Sequence, residues 1–148
     1  MSGQREINKM EERRIYVIVA GTIQVPVVPD SHKPPLRTVV QPTGRQIAQA
    51  CHVVSQLRHV QEISPYQTIS DLAIRKFQPI TTIILQARDS AEMAHVYTLL
   101  NRKRLKPEIF SDDNPEYGPG SWPTAVAVFA TAKQVKYILD YLPLWSGK

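Results

Sequence analysis

The chain has 148 residues, 43% hydrophobic and 21% charged, a balance that fits one globular domain with a buried core and excludes a disordered chain. Its formal net charge of +5 favours a polyanionic partner such as RNA over a basic one. One cysteine excludes an intrachain disulfide, four scattered histidines give no metal-ligand spacing, and no apolar run approaches the roughly 20 residues that span a bilayer.

Residues 1–13 read as a flexible lead-in and 14–148 as a single domain. Arg14 to Gly21 is the first strand, because Ile15 to Ala20 is an almost unbroken apolar, β-branched run suited to burial on both faces. Thr22 to Pro42 reads as a long Pro-rich insertion loop, since Pro26, Pro29, Pro34 and Pro35 exclude a regular helix or central strand. Val25, Val27 and Val28 leave room for brief edge pairing, as do Arg37 to Val40. With His32, Lys33 and Arg37 the loop is basic, and it is either a substrate-contacting flap or a surface excursion.

A central helix follows, from Gly44 to about Arg58. Thr43-Gly44-Arg45-Gln46 has the form of a capping box. Ile47, Ala50, Cys51, Val54 and Leu57 share one flank, while Arg45, Gln49, His52 and Gln56 share the opposite one. A row like the second also describes an ordinary solvated helix face. Cys51, on the apolar flank, is expected to be buried and inert rather than nucleophilic. Ser64-Pro65 breaks the pattern, and a second helix is expected over Thr68 to Phe77, ended by Pro79.

Ile80 to Ala87 is the second strand. Asp89-Ser90-Ala91-Glu92 caps a helix with Met93, Val96, Tyr97 and Leu100 inward. Its terminal Arg102, Lys103 and Arg104 suit the negative helix end better than an RNA patch. Pro107 to Phe110 is a short third strand, Ser111 to Pro123 a turn-rich loop, and Thr124 to Ala130 the fourth strand. Thr131 to Gln134 is another capping box, opening a last helix with Val135, Ile138, Leu139 and Leu142 on one flank and Pro143 at its end. Trp122 is expected to pack beside the last strand and Trp145 over the end of the final helix, leaving Tyr117 as the more exposed aromatic. Strands alternating with amphipathic helices predict an α/β layered fold, with function at the carboxyl ends of strands.

The segment Gly44-Arg45-Gln46-Ile47-Ala48-Gln49-Ala50-Cys51-His52 resembles the signature helix of the type II peptidyl-tRNA hydrolases. That signature is Gly-Lys, a Gln four residues past the Lys and a His three further on. The likeness extends to the strand at Ile15 to Ala20, the strand at Ile80 to Ala87, the helix from Asp89 to Arg104 and the Asp-containing loop from Asp112 to Gly120. It covers most of the chain from Arg14 to Leu142. The resemblance implies a three-layer α/β/α sandwich with a four-stranded mixed sheet. It also implies metal-independent hydrolysis, without a cofactor, of the ester joining a peptide to the 3′ ribose of tRNA.

By the same resemblance His52, Asp112 (or Asp113), Arg45 and Gln49 are the candidate catalytic residues; Gly44 of the signature, Asp113, and Tyr117 as the exposed aromatic of the Asp loop are the candidate substrate contacts. Arg45 replaces the family's Lys; it stays protonated, so it can clamp phosphate or stabilise an oxyanion but cannot act as a base. The family's loop runs Asp-Ala-Gly-Arg-Thr-Gln-Ile, whereas this chain has Asp112-Asp113-Asn114-Pro115-Glu116-Tyr117-Gly118, without its Arg and Thr. The expected chemistry has His52, oriented by Asp112 or Asp113, activating water, with Arg45 and Gln49 donating to the tetrahedral oxyanion. Two alternatives are an inactive RNA- or protein-binding module on the same fold, and a hydrolase of a different small ester or amide. The expected setting is translation in the cytoplasm, with tRNA or peptidyl-tRNA as partner, no membrane, and a homodimer allowed.

Overall fold

In the structure, a computed structural model, residues 12–27, 36–63, 66–71 and 74–147 are described, with backbone alone for 66–71 and 74–79. The elements in order are β1 (Arg13–Ala20), β2 (Thr22–Pro26), β3 (Leu36–Val40), α1 (Thr43–Gln61), β4 (Tyr66–Asp71), β5 (Ile74–Pro79), β6 (Thr82–Ala87), α2 (Ser90–Arg102), β7 (Glu108–Asp112), β8 (Trp122–Thr131) and α3 (Ala132–Val135). A 3-10 turn, Pro115–Tyr117, lies between β7 and β8.

The main sheet is mixed and four-stranded, in the order β6-β1-β8-β7. β1 runs parallel to β6, with Ile15 opposite Thr82 and Ala20 opposite Ala87, and antiparallel to β8, with Val17 opposite Ala127. β7 is antiparallel to β8, and a register shift between Phe110 and Ser111 brings Asp112 opposite Trp122. Such a bulge turns the side chains that follow it.

Every residue of β1 from Ile15 to Ala20 is buried, as its apolar run requires. Alternation sends Ile15, Val17 and Val19 to one face, where they meet Ala50, Val53 and Leu57 of α1 and the small Ala125 and Ala127 of β8. Tyr16, Ile18 and Ala20 go to the other, among Met93, Val96 and Leu100 of α2 and Ile23 and Val25 of β2. Full burial of such side chains contributes roughly 1.5–3 kcal/mol each. Asp89 caps α2 as its spacing predicts, accepting from the Glu92 N–H at 2.9 Å.

Three expectations are corrected. Thr22 to Pro42 is not loop throughout: β2 and β3 form an antiparallel hairpin, Thr22 opposite Val40 and Pro26 opposite Leu36. Pro26 is the last residue of β2 and Pro42 follows β3, positions where a missing N–H does no harm. Residues 28–35, which include His32 and Lys33, lie outside the described residues, as do 1–11. The helix expected over Thr68 to Phe77 is instead the β4–β5 hairpin, with Tyr66 opposite Pro79 and Asp71 opposite Ile74. Thr68, Ile69, Ile74 and Phe77 are β-branched or aromatic, and that strand preference outweighs a short helical spacing.

The last helix shrinks to the single turn α3. Its capping box forms as predicted, but Lys136 has ψ 140° and Tyr137 φ 73°, and the Tyr137 N–H turns to the Asp140 carboxylate. A short acidic side chain thereby displaces the next helical hydrogen bond. Val135, Ile138, Leu139 and Leu142 are nonetheless all buried. The chain then adds to the outer edge of β6: the Gln86 N–H donates to Pro143 O and the Trp145 N–H to Ile84 O, covering part of an otherwise open edge.

Candidate functional site at the seam of α1 and β7

The capping box expected at α1 does not form. Pro42 is the N-cap residue without a side-chain cap, and the Thr43 hydroxyl donates to Gly147 O. Gln46 is instead buried: its Nε2 donates to Gln41 O and its Oε1 accepts from Trp145 Nε1, both at 2.8 Å. Trp145 therefore pins the start of α1 rather than the end of the final helix.

This anchoring sets the rotation of α1. The helix buries Gln46, Gln49, Ala50, Val53 and Leu57, while Ile47 and Cys51 are exposed. Cys51 is thus not the buried thiol expected. The row Arg45, Gln49, His52 and Gln56 is not a solvated face either, because it runs down the polar side of β7 and the 3-10 turn. Arg45 makes a two-pronged ion pair with Glu116, at 2.8 and 3.4 Å. Gln49 Nε2 donates to Asp112 Oδ2 at 2.8 Å. His52 stacks on Phe110 with centroids 4.8 Å apart and planes 21° apart. Gln56 Nε2 donates to Glu108 Oε1 and Ile109 O, each at 3.1 Å.

Asp112 ends β7 rather than lying in a loop. Its carboxylate only accepts, so it selects the Nε2 side of the Gln49 amide. Gln49 is 3% exposed, and its Oε1 is buried with no hydrogen-bond partner among the described residues. Asp113 is exposed, and among the described residues no hydrogen bond joins His52 to Asp112 or Asp113. His52 is itself exposed, held by its stack on Phe110. At Gly44 no atom of the described residues, its own helix turn and chain neighbours aside, lies within 4 Å of where a Cβ would stand.

Tyr117 is the clearest correction: expected exposed, it is 1% exposed. Its hydroxyl donates to Gln41 Oε1 at 3.1 Å, and Gln41 Nε2 donates to Ala20 O at 2.7 Å. Burial pushes the Tyr117 phenol above its ordinary range, against the pull of Arg45. The hydrogen bond and charge of Arg45 hold the Glu116 carboxyl below its ordinary range, and the same bond raises Arg45. Arg37 donates to Glu116 O at 2.7 Å, tying the β2–β3 hairpin to this turn.

The seam thus gathers Arg45, Gln49, His52 and Asp112, with Gly44 beside them, and leaves Asp113 outward and Tyr117 inside. Gln41, Gln46, Phe110, Glu116 and Trp145 complete it without having been singled out as site residues; buried glutamines such as Gln41 leave no trace in hydrophobic periodicity. Among the described residues no group of three His, Cys, Asp or Glu side chains could hold a metal ion, and no helix is long and apolar enough to cross a membrane.

No protein-family model matches the chain, and no curated protein matches it. Among solved structures, that of a protein of unknown function from Agrobacterium tumefaciens aligns with 93% of this chain and 100% of its own, with a TM-score of 0.58 and 11% sequence identity. That likeness is one of fold. It agrees with an α/β protein built on a four-stranded mixed sheet.

Proposed function

We propose that this chain is a peptidyl-tRNA hydrolase-like enzyme on a three-layer α/β/α sandwich, cleaving the ester between an N-blocked aminoacyl group and tRNA without a metal. The observation that carries the reading is the placement of Arg45, Gln49 and His52 in one row beside Asp112, with Gln49 and Asp112 joined at 2.8 Å. In this reading His52, exposed over Phe110, takes a proton from water as the water oxygen bonds to the ester carbonyl carbon. The carbonyl oxygen becomes an oxyanion within reach of the Arg45 guanidinium, once Glu116 yields one prong. The bond to the 3′ ribose oxygen then breaks, and His52 returns the proton to that oxygen.

Gln49 takes a different part from the donor expected of it. Its Nε2 is committed to Asp112 and its Oε1 is buried, so it holds the Asp112 carboxylate in place rather than touching the ester. The same commitments favour a second reading without turnover: with Arg45 on Glu116 and Gln49 on Asp112 neither donor is free for an oxyanion, and the net charge of +5 then suits the chain to holding tRNA or another RNA.

One experiment separates them. The protein and its His52→Ala variant are incubated with an N-acetylated aminoacyl-tRNA and with the free-amine form, and ester cleavage is followed beside an active control hydrolase. Selective cleavage of the blocked form, reduced on the order of a hundredfold or more by His52→Ala, supports the hydrolase. Cleavage unaffected by that change refutes His52 as base. No cleavage, with RNA binding that weakens steeply with salt, moves the function to the binding module.

A further inference from the structure

The flank of α1 opposite the Arg45 row faces β6. There helix and sheet part, leaving an open cavity of about 370 Å³. Val17 of β1, Ile84 of β6, and Ala50 and Val54 of α1 give it an apolar lining. Cys51 and Arg58 also line it, and Cys51 is exposed. Ile47, 48% exposed, continues the strip one turn toward the helix start, so positions 47, 51, 54 and 58 form one face that is apolar at one end and cationic at the other.

Arg58 sets the chemistry. It is the only charged side chain lining the cavity among the described residues. Among the described residues its guanidinium makes no hydrogen bond and no ion pair. A guanidinium without an acceptor at the rim of an apolar cavity is best answered by a carboxylate, whose two oxygens match its fork. The cavity lies at the small end of the roughly 300–1,000 Å³ typical of ligand sites. At about 30 Å³ per heavy atom, the share of a water in the liquid, it takes on the order of ten heavy atoms.

We infer that this cavity is a binding site for a short aliphatic carboxylate, with its chain over Val17, Val54 and Ile84 and its carboxylate on Arg58. The site lies on the other flank of α1 from the Arg45, Gln49 and His52 row, and it does not depend on that row being catalytic. A neutral or cationic chain of the same length would gain the apolar contact and leave Arg58 unanswered.

The chain's single cysteine is a built-in reporter. The rate of Cys51 alkylation by iodoacetamide is read by mass spectrometry at rising concentrations of octanoate, octanol and octylamine. Octanoate should slow alkylation at saturation, with half-protection at a concentration roughly tenfold lower than for octanol and octylamine, the expected worth of one charge-assisted contact. Arg58→Gln should remove that preference, and Val54→Trp, which fills the cavity, should slow alkylation without ligand and abolish the octanoate effect.

No protection by octanoate, equal protection by all three compounds, or a preference that survives Arg58→Gln each overturns the proposal. So does alkylation that slows with protein concentration alone, which would assign the strip to a second copy of the chain. The three-compound comparison uses the unaltered protein and does not depend on either variant folding.

Discussion

Gln46→Leu tests whether one buried amide joins the start of α1 to both the strand exit and the C-terminal segment. Gln46 is 2% exposed and makes two hydrogen bonds of 2.8 Å, one to Gln41 O and one from Trp145 Nε1. Leucine matches its size but serves neither partner. Two net hydrogen bonds at about 1 kcal/mol each are lost, and Gln41 O and the indole N–H are left without their partner at about 1–3 kcal/mol each. The added apolar burial offsets part of this, about 1–2 kcal/mol. The net cost comes to about 2–7 kcal/mol, or roughly 6–22 °C in Tm for a domain of this size. Urea unfolding gives the free energy, and tryptophan emission checks the mechanism, because a released Trp145 should shift to the red before unfolding. A loss below about 0.5 kcal/mol with unshifted emission would refute the network, provided Leu57→Ala in the adjacent core still costs about 2–5 kcal/mol.

Two further predictions concern pH. Arg45 depresses the Glu116 carboxyl, so the pair's contribution is fully present above the ordinary glutamate range and is lost as pH falls through the depressed value. Glu116→Gln should flatten that acid limb and lower stability at neutral pH by the same small amount, small because the Glu116 side chain is 58% exposed; urea midpoints between about pH 3 and pH 7 read both. Burial raises the Tyr117 phenol, so its contribution is intact below the ordinary tyrosine range and fades as pH rises from there through the raised value. Tyr117→Phe should remove this alkaline loss and cost about 1 kcal/mol at neutral pH through the bond to Gln41; a phenolate absorbance titration that shows every tyrosine ionising before unfolding would refute it.

What could be read from the sequence follows from what sets each element. β1 and β8 were legible because an unbroken apolar run has one cheap solution, burial on both faces, and the edge strand β6 because its middle is apolar and β-branched. The capping residues of α2 and α3 were legible because those bonds close within four residues. At α1 the same rule misled. Thr43 and Gln46 had the right spacing, yet both found partners about a hundred positions away, Gly147 and Trp145.

Those long-range bonds turn α1 so that Gln49 goes inside and Cys51 outside. The hydrophobic stripe of Ile47, Cys51 and Val54 thus predicted a buried flank that the fold leaves half open, and the cavity beside β6 lies along it. Tyr117 was misread for a related reason. Its neighbours in sequence are polar turn formers, and nothing local announces that Gln41, in a different loop, will accept its hydroxyl.

The contact at the centre of the candidate site can be tested without assuming any activity. Gln49→Glu places a carboxyl 2.8 Å from Asp112 at a position 3% exposed, where two carboxylates cannot both be ionised. The introduced carboxyl should keep its proton and donate it to Asp112. Its pKa in the folded state then lies above the unfolded value, so full stability holds below that unfolded value and is lost as pH rises toward the folded one. Holding one proton from about pH 4.3 to pH 7 costs about 1.4 kcal/mol per pH unit, or about 3.5–4 kcal/mol in all. Urea unfolding at about pH 5, 6 and 7 should therefore show the variant weakening by close to one proton's slope while the parent protein changes little. Adding Asp112→Asn reverses the pair: the new amide donates, the new carboxylate accepts, and the slope should disappear. A flat profile in the single variant, or a slope untouched in the double one, would mean that Gln49 and Asp112 do not meet, and the arrangement proposed for hydrolysis would fall with them.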